Sequence, residues 1–434
     1  MQLEVMQPLG MATFDLTPCT DPNGMMALQE GTNAPWRLVQ KTGGRFVVAA
    51  SASLVGLMYK SRWFRGTWTS IHYVAASELA SIELRQLCEP KPGPGRPPTK
   101  SIQFRFPTPQ SLHRFVGSAG GYYGLNNLGF DVPVSGQHDL AGFVFTSSVP
   151  NPSVGLGDWR SFVRPGIDVS RLSTGDSVTV DPQGPESAAL SPAMVDIVGA
   201  PRRSVGRAFL AVGTSCFPIF LPFGNRGQLG LSVNTDSLDL DPWRHYGPVP
   251  LRGGPTTGAS TLLGQDSVWA PPRTQAGLSG VYGIKSVLAD AAEVRTLIET
   301  RAGAATSWSF QMPSAMPRPT PIVLARAPYL RLRLQFETPP DLNDGVEVSF
   351  GWNPQHSGFG DYVSLRASRL FRGGRVVDIS TPDFTQLPGW RSDDMPQEGS
   401  LPGFNLLEIR GEQRTRASLC SAGRTAASSA IIAL

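Results

Sequence analysis

Residues 330–352 read LRLRLQFETPPDLNDGVEVSFGW. Leu330, Leu332, Leu334 and Phe336 alternate with Arg331, Arg333, Gln335 and Glu337. After a turn at Asn343, Asp344 and Gly345, Val346, Val348, Phe350 and Trp352 alternate with Glu347, Ser349 and Gly351. A period of two collects the apolar side chains of a strand on one face and the polar ones on the other. The two segments therefore predict a strand pair with one dry and one polar face, as in an antiparallel β-sandwich.

The same signal continues outward in both directions. Short β-forming runs lie at residues 36–40, 45–50, 68–74, 81–87, 101–106, 129–134 and 140–146, and again at 207–212, 216–222, 228–233 and 362–370. Gly43-Gly44 marks a turn between the first two runs, and residues 89–100 (EPKPGPGRPPTK) form a Pro/Gly loop too restricted for helix or central strand. Residues 179–192 (TVDPQGPESAALSP) are polar, carry three prolines and read as a linker. The expected organisation is an extended N-terminal arm at 1–34, a first domain at 35–180, a second at 192–409 and a flexible, Arg-containing tail at 410–434. One helix is predicted over 285–301, where Val287, Leu288, Ala291, Val294, Leu297 and Ile298 fall at helical spacing. Residues 236–272 are rich in Pro, Gly and Trp and read as a long interaction loop.

Composition supports an all-β chain. Gly (47) and Pro (39) together outnumber all 72 charged side chains, which favours many short strands joined by turns over long solvated helices. Charged residues are 17% of the 434, and the net charge of +4 is too small to indicate nucleic-acid binding by itself. Lysine occurs only at Lys41, Lys60, Lys91, Lys100 and Lys285, the other cations being Arg. Arginine suits fork-shaped contacts to phosphate, although a GC-rich coding sequence produces the same bias. Cys19, Cys88, Cys216 and Cys420 are widely spaced and read as buried free thiols in a reducing compartment. The one Asn-x-Ser pattern, Asn151-Pro152-Ser153, is blocked by its proline. With no leader pattern and no apolar run long enough to span a bilayer, the expectation is a soluble, intracellular chain without a membrane partner.

Motifs for chemistry are sparse. The sequence holds no phosphate-binding Gly-x-x-x-x-Gly-Lys-Ser/Thr, no His-Glu-x-x-His and no Gly-x-Ser-x-Gly elbow. His72, His113, His138, His245 and His356 are isolated, and each reads as a surface or interface histidine. Asp393-Asp394 would suit a hard cation but reads as a solvated loop. No catalytic, cofactor-binding or metal-ligating residue is expected, and the chain reads as a non-enzyme.

The informative segment is residues 58–73, MYKSRWFRGTWTSIHY. Aromatic side chains crowd around Arg65 and Gly66, so that the Arg65 guanidinium is expected to be at least half buried against Trp63 or Trp68. Gly66 would permit a bulge or close backbone approach. The plainer reading is a Trp-rich core strand. The pattern Tyr59, Trp63, Phe64, Arg65, Gly66, Trp68 resembles the segment joining two strands of picorna-like virus coat proteins, nearest to the comovirus-like and dicistrovirus-like branches. About sixty residues on, 128–134 (LGFDVPV) is similar to a second segment of the same proteins, with Val134 where they often have Tyr. The two segments cover about a quarter of the first expected domain and very little of the second. The resemblance implies viral jelly-roll domains that line an icosahedral shell, with copies of the chain and other coat proteins as partners. It also implies a viral RNA inside, and a protein found in the virion and, during synthesis, in the host cytoplasm. The small net charge confines any RNA contact to a local cluster, for which Arg410, Arg414, Arg416 and Arg424 in the expected tail are the candidates.

Two other classes fit the residues. A two-domain β-sandwich binding module would use the 236–272 loop, with Trp243 and Trp269 stacking on sugar rings. It would stay small in solution, whereas a coat protein forms shells. A β-rich hydrolase would need a Ser, a His and an acid, distant in sequence, to converge.

Overall fold

The computed structural model describes residues 8–63, 66–88, 99–105, 111–119, 122–125, 129–134, 136–147, 158–179, 181, 184, 187–189, 191–198, 205–212, 217–220, 265–270, 281–289, 293–302, 307–352, 362–392, 395, 405–414 and 422–433. In chain order the strands begin with β1 (Gly10–Phe14), β2 (Met25–Glu30), β3 (Arg37–Leu38), β4 (Lys41–Thr42), β5 (Arg45–Ala50), β6 (Leu54–Trp63) and β7 (Gly66–Ala75). A 3-10 turn (Ala76–Ser81) and the one-turn helix α1 (Leu84–Leu87) follow. Next come β8 (Thr99–Arg105), β9 (Ser111–Ala119), β10 (Tyr122–Leu125), β11 (Gly129–Pro133), β12 (Gln137–Ser147), β13 (Asp158–Asp168), β14 (Ser177–Thr179), β15 (Ser187–Ala189) and β16 (Ser191–Val198). The order continues with β17 (Val205–Val212), β18 (Phe217–Phe220), β19 (Gln265–Ala270), β20 (Val281–Ala289), β21 (Glu293–Ala302), β22 (Ser307–Gln311) and β23 (Ile322–Ala325). It closes with β24 (Arg331–Glu337), β25 (Gly345–Trp352), β26 (Tyr362–Ser368), α2 (Arg369–Arg372), β27 (Val376–Ser380), β28 (Asn405–Arg414) and β29 (Gly423–Ala433). The chain is all-β, as its composition predicts.

The largest sheet has twelve strands in the order β18-β17-β20-β21-β29-β28-β25-β26-β7-β6-β2-β3. Every ladder in it is antiparallel except β7 with β26, which are parallel. Period-two alternation gives the sheet two different faces. One face presents Ala27, Met58, Ile71, Leu365, Val348, Ile409, Ala426 and Leu297, which pack with Leu332, Leu334, Val377 and Ile379 of the smaller β23-β24-β27 sheet. Burial of this face is the main hydrophobic contribution to the fold. The opposite face is apolar only at its β2-β6-β7 end. There Leu28, Leu57 and Tyr59 meet Phe14, Phe46 and Val48 of the β1-β5-β4 sheet, with Leu79 and Leu87 from the segment after β7.

The strand of residues 331–337 and its successor at 345–352 form as expected, but they do not pair with each other. β24 lies between β23 and β27, and β25 lies between β26 and β28 in the other layer. Their dry faces meet across the sandwich core.

Several expectations are corrected. The predicted helix over 285–301 is a β-hairpin of β20 and β21, in register from Val281↔Ala302 to Ala289↔Val294. Val294, Thr296, Ile298 and Thr300 are β-branched and alternate with Arg295, Leu297, Glu299 and Arg301, so the period of two overrides the helical spacing. Residues 81–87, expected as a strand, instead leave the 3-10 turn at Ser81 and form the one-turn helix at Leu84–Leu87. Leu84, Arg85, Gln86 and Leu87 are good helix formers, and Leu87 is buried under the turn they make. The described part of the 1–34 arm contains strands, β1 pairing with β5 and β2 with β6.

Residues 179–192 contain strand rather than a bare linker, with β15 pairing with β13 and β16 with β19 and β22. The large sheet takes strands from both sides of that segment. Where it is described, the expected tail is strand. β28 and β29 are central strands, and Ala426, Ala427, Ser428, Ser429 and Ala430 are buried, Ala426 and Ala430 in the core. Cys19 and Cys88 are not free thiols. They form a disulfide with Cα atoms 5.8 Å apart. Cys216, Cys420 and the expected strand at 228–233 lie outside the described residues.

Candidate functional site

Beyond its apolar end, the second face of the large sheet becomes polar. In register across four strands lie His72 of β7, Arg366 of β26, Glu347 of β25 and Arg410 of β28, and the row ends on Ser429 of β29. Two residues along each strand, on the same face, stand Ser70, Ser364, Ser368, Ser349 and Glu412. Alternation delivers these side chains here: each is the polar partner of an apolar neighbour that faces the core.

The row lines a cleft of about 200 Å³. The segment after β7 forms one wall of it. Glu78, Ser81, Ile82 and Gln86 of that segment reach the cleft, and Asp344 sits at the β25 end. The Glu78 carboxylate accepts a hydrogen bond from the Ala75 amide at 2.9 Å and another from the Ser368 hydroxyl. The Ser70 hydroxyl donates to the Leu87 carbonyl at 3.1 Å, and His72 Nε2 lies 3.2 Å from the Gln86 carbonyl. A carbonyl only accepts, so His72 carries its proton on Nε2 in this contact.

Along the lining two arginines, Arg366 and Arg410, face four carboxylates, Glu78, Asp344, Glu347 and Glu412. Arg366 Nη2 is 2.8 Å from Glu347 Oε2, with side chains 16% and 18% exposed. Glu347 Oε1 also accepts from the Ser364 hydroxyl at 2.6 Å. Burial works against the Arg366 cation, but the Glu347 and Glu412 carboxylates outweigh it and raise its pKa above the ordinary guanidinium value. Burial likewise pushes the Glu412 carboxyl up, and Arg414, Arg410 and Arg366 more than offset this, leaving its pKa below the usual carboxylate value. Asp344 accepts from the Arg414 amide at 2.8 Å. Such an arrangement holds fixed dipoles and a paired Arg366 and Glu347 against a partly open cavity. Among the described residues no group of three or more His, Cys, Asp or Glu is placed to hold a metal ion.

The residues singled out from sequence are scattered relative to this cleft. Trp63 pairs with Gly66 to close the β6-β7 hairpin, while Phe64 and Arg65 lie outside the described residues. Trp68 packs edge-on against Tyr362, with ring centroids 5.5 Å apart. Of the four arginines, Arg410 is buried in the cleft and Arg424 is turned toward Asp341 at 4.0 Å. Arg414 is exposed and pairs with Glu412 at 3.2 Å, and Arg416 lies outside the described residues. His113, His138 and Trp269 lie in β9, β12 and β19, whereas His245, His356, Trp243, Asp393 and Asp394 lie outside the described residues.

Sequence reasoning missed Glu347, Arg366 and Glu412 as site residues. Their signal was present as the polar positions of predicted strands, but alternation alone does not tell a solvated face from one that lines a cleft. No family model and no curated protein sequence matches this chain. Among the described residues no helix is long and apolar enough to cross a membrane.

Proposed function

We propose that this protein is a structural coat protein whose copies, alone or with a second coat protein, close into an icosahedral shell around a viral RNA genome. The observation that carries this reading is the edge of the β23-β24-β27 sheet. β23 is an edge strand, and its Ile322, Val323 and Leu324 are 47%, 42% and 44% exposed. Proteins that work as monomers blunt their strand edges with charge or cover them. Three successive bare aliphatics on an edge are what an assembling subunit needs. Leu9, Met11 and Val47, exposed on the paired β1 and β5 region, offer a second such surface.

The resemblance of residues 59–68 and 128–134 to picorna-like coat proteins supports the same reading. The jelly-roll form of the sandwich belongs to the proposal too. It is supported by the antiparallel hairpins and by neighbours distant in sequence, such as β21 with β29. The parallel ladders of β7 with β26 and of β8 with β14 depart from an all-antiparallel jelly roll. In this reading the protein resides in the virion and, before assembly, in the host cytoplasm. Of the three described candidate arginines, Arg414 is the one whose exposure suits a contact to RNA phosphates.

Negative-stain microscopy and sedimentation of the purified protein, over a range of salt and pH, test the proposal. Closed shells are expected. Val323→Lys is expected to lower their yield while leaving circular dichroism unchanged, because Val323 is already exposed. A protein that stays monomeric or dimeric under every condition overturns the reading. The polar cleft favours a second one, a β-sandwich binding module for carbohydrate or a receptor. Glycan-array binding by a protein that stays small in solution would establish it.

A further inference from the structure

We propose that residues 76–88 are a redox-released cap over the polar cleft, held shut by the Cys19–Cys88 disulfide. This inference stands whether the protein coats a genome or binds a ligand.

The cap is fastened at two ends. At its start, the Glu78 carboxylate joins the Ala75 amide to Ser368 of β26, and Leu79 is buried. At its end, α1 has only four residues, and bonds from Gln86 N–H to the Glu83 carbonyl at 2.9 Å and from Cys88 N–H to the Leu84 carbonyl at 3.1 Å flank it. A helix of one turn does not hold itself in water. It is kept in place by the Leu87 side chain, by the Ser70 and His72 bonds to its carbonyls, and by the covalent link from Cys88 to Cys19. The same two carbonyl contacts place this end of the cap above Ser70 and His72. Lifting it exposes His72, which is 2% exposed with the cap in place, and opens the cleft toward Arg366.

The disulfide is buried, but exposed residues lie near both of its ends. Cys19 sits in a stretch outside the regular strands, with Thr17, Pro18 and Thr20 exposed around it, and Glu83 is exposed at the start of α1. A thiolate of a small dithiol reductant attacks one sulfur, forms a mixed disulfide and releases the other sulfur as a thiolate. The reductant's second thiol then closes its own disulfide and frees the first protein sulfur. The protein disulfide gains two electrons and two protons, and the reductant loses them. With the link cut, the cap end no longer has to carry Cys19 with it when it lifts.

The test compares the full-length protein with and without dithiothreitol, in the absence of denaturant. Hydrogen exchange is followed by mass spectrometry, and diethylpyrocarbonate labelling of His72 is read by peptide mapping. Reduction should accelerate exchange in peptides covering 84–88 by about tenfold or more beyond any change in β25 and β28, and His72 should become labelled. Cys19→Ser should reproduce both effects without reductant. If that variant does not fold, reduction of the folded wild-type protein remains the deciding measurement. Three results would overturn the proposal: two free thiols at Cys19 and Cys88 in the untreated protein, unchanged exchange and labelling after reduction, or acceleration that is equal in the cap and in β25 and β28.

Discussion

Replacing Arg366 by Met tests whether the polar row behaves as part of the interior. Arg366 and Glu347 are 2.8 Å apart and both over four-fifths withdrawn from solvent. Removing one partner of a buried ion pair costs about 3–5 kcal/mol, because the remaining charge is left without compensation. Here Glu347 keeps the Ser364 hydroxyl at 2.6 Å and has Arg410 beside it in register. The cost should therefore fall near the lower end, about 3 kcal/mol. Met fills most of the volume of the Arg stem, so little of this is cavity. Replacing both residues, Arg366→Met with Glu347→Leu, removes the stranded charge and should recover most of the loss. The assay is urea unfolding at neutral pH, followed by the fluorescence of Trp36 and Trp390, which pack on Phe384 in the core. A parallel series in 1 M salt separates a buried pair from a screened one. A cost below about 1 kcal/mol for the single variant, or no recovery in the double variant, would refute the reasoning and make the pair a surface contact.

Other consequences are equally direct. Tyr329 is buried, its hydroxyl donating to the Pro382 carbonyl at 2.9 Å and accepting from the Phe384 amide at 2.7 Å. Tyr329→Phe strands both groups and should cost about 2–4 kcal/mol in the same unfolding assay; a loss under 1 kcal/mol would mean that water replaces the hydroxyl. At Gly411 an added Cβ would lie 2.6 Å from Met316 Sδ and 3.2 Å from the Leu342 carbonyl oxygen, so Gly411→Ala should cost about 1–3 kcal/mol, read as a lowered thermal midpoint. Glu30 is held at a pKa of about 2 by the Ser51 hydroxyl and amide, with Arg37 adding to them. Its folded-state pKa lies below its unfolded value, so its stabilisation is present above pH 4.5 and is lost as pH falls toward 2. Glu30→Gln should flatten the stability profile across that window, and an unchanged acid limb would count against the contact.

The fold was legible where one period dominated. In 330–352, alternation named the strands and their dry faces correctly, and the dry faces do meet in the core. It did not name the partners. Adjacent strands in a chain often form a hairpin, yet β24 and β25 enter different layers, because pairing is decided by what each edge meets after the chain has crossed the sandwich. The segment 285–301 shows the opposite failure. Val287, Leu288, Ala291, Val294, Leu297 and Ile298 satisfy a helical template, but Val294, Thr296, Ile298 and Thr300 satisfy a strand template as well. Short apolar runs fit both, and β-branching was the better arbiter. The tail was misread for a related reason. Its alanines and serines carry little hydrophobic signal, yet Ala426 and Ala430 pack in the core and the residues between them are buried too.

The cleft was illegible for a reason of geometry rather than of pattern. His72, Arg366, Glu347 and Arg410 come from four strands spread over more than three hundred residues, and only the register of the sheet brings them into line. The decisive ladder is the parallel one between β7 and β26, since it sets His72 beside Arg366 and carries the cap that follows β7 up to the charged row. A slip of one residue in that ladder would turn His72 into the apolar core and Ile71 out toward Arg366. Both faces oppose such a slip, because Ile71 and Leu365 are buried together on the side that meets β24 and β27. The apolar pattern that builds the core therefore also fixes the position of the polar row, and the charges of the cleft need no register signal of their own.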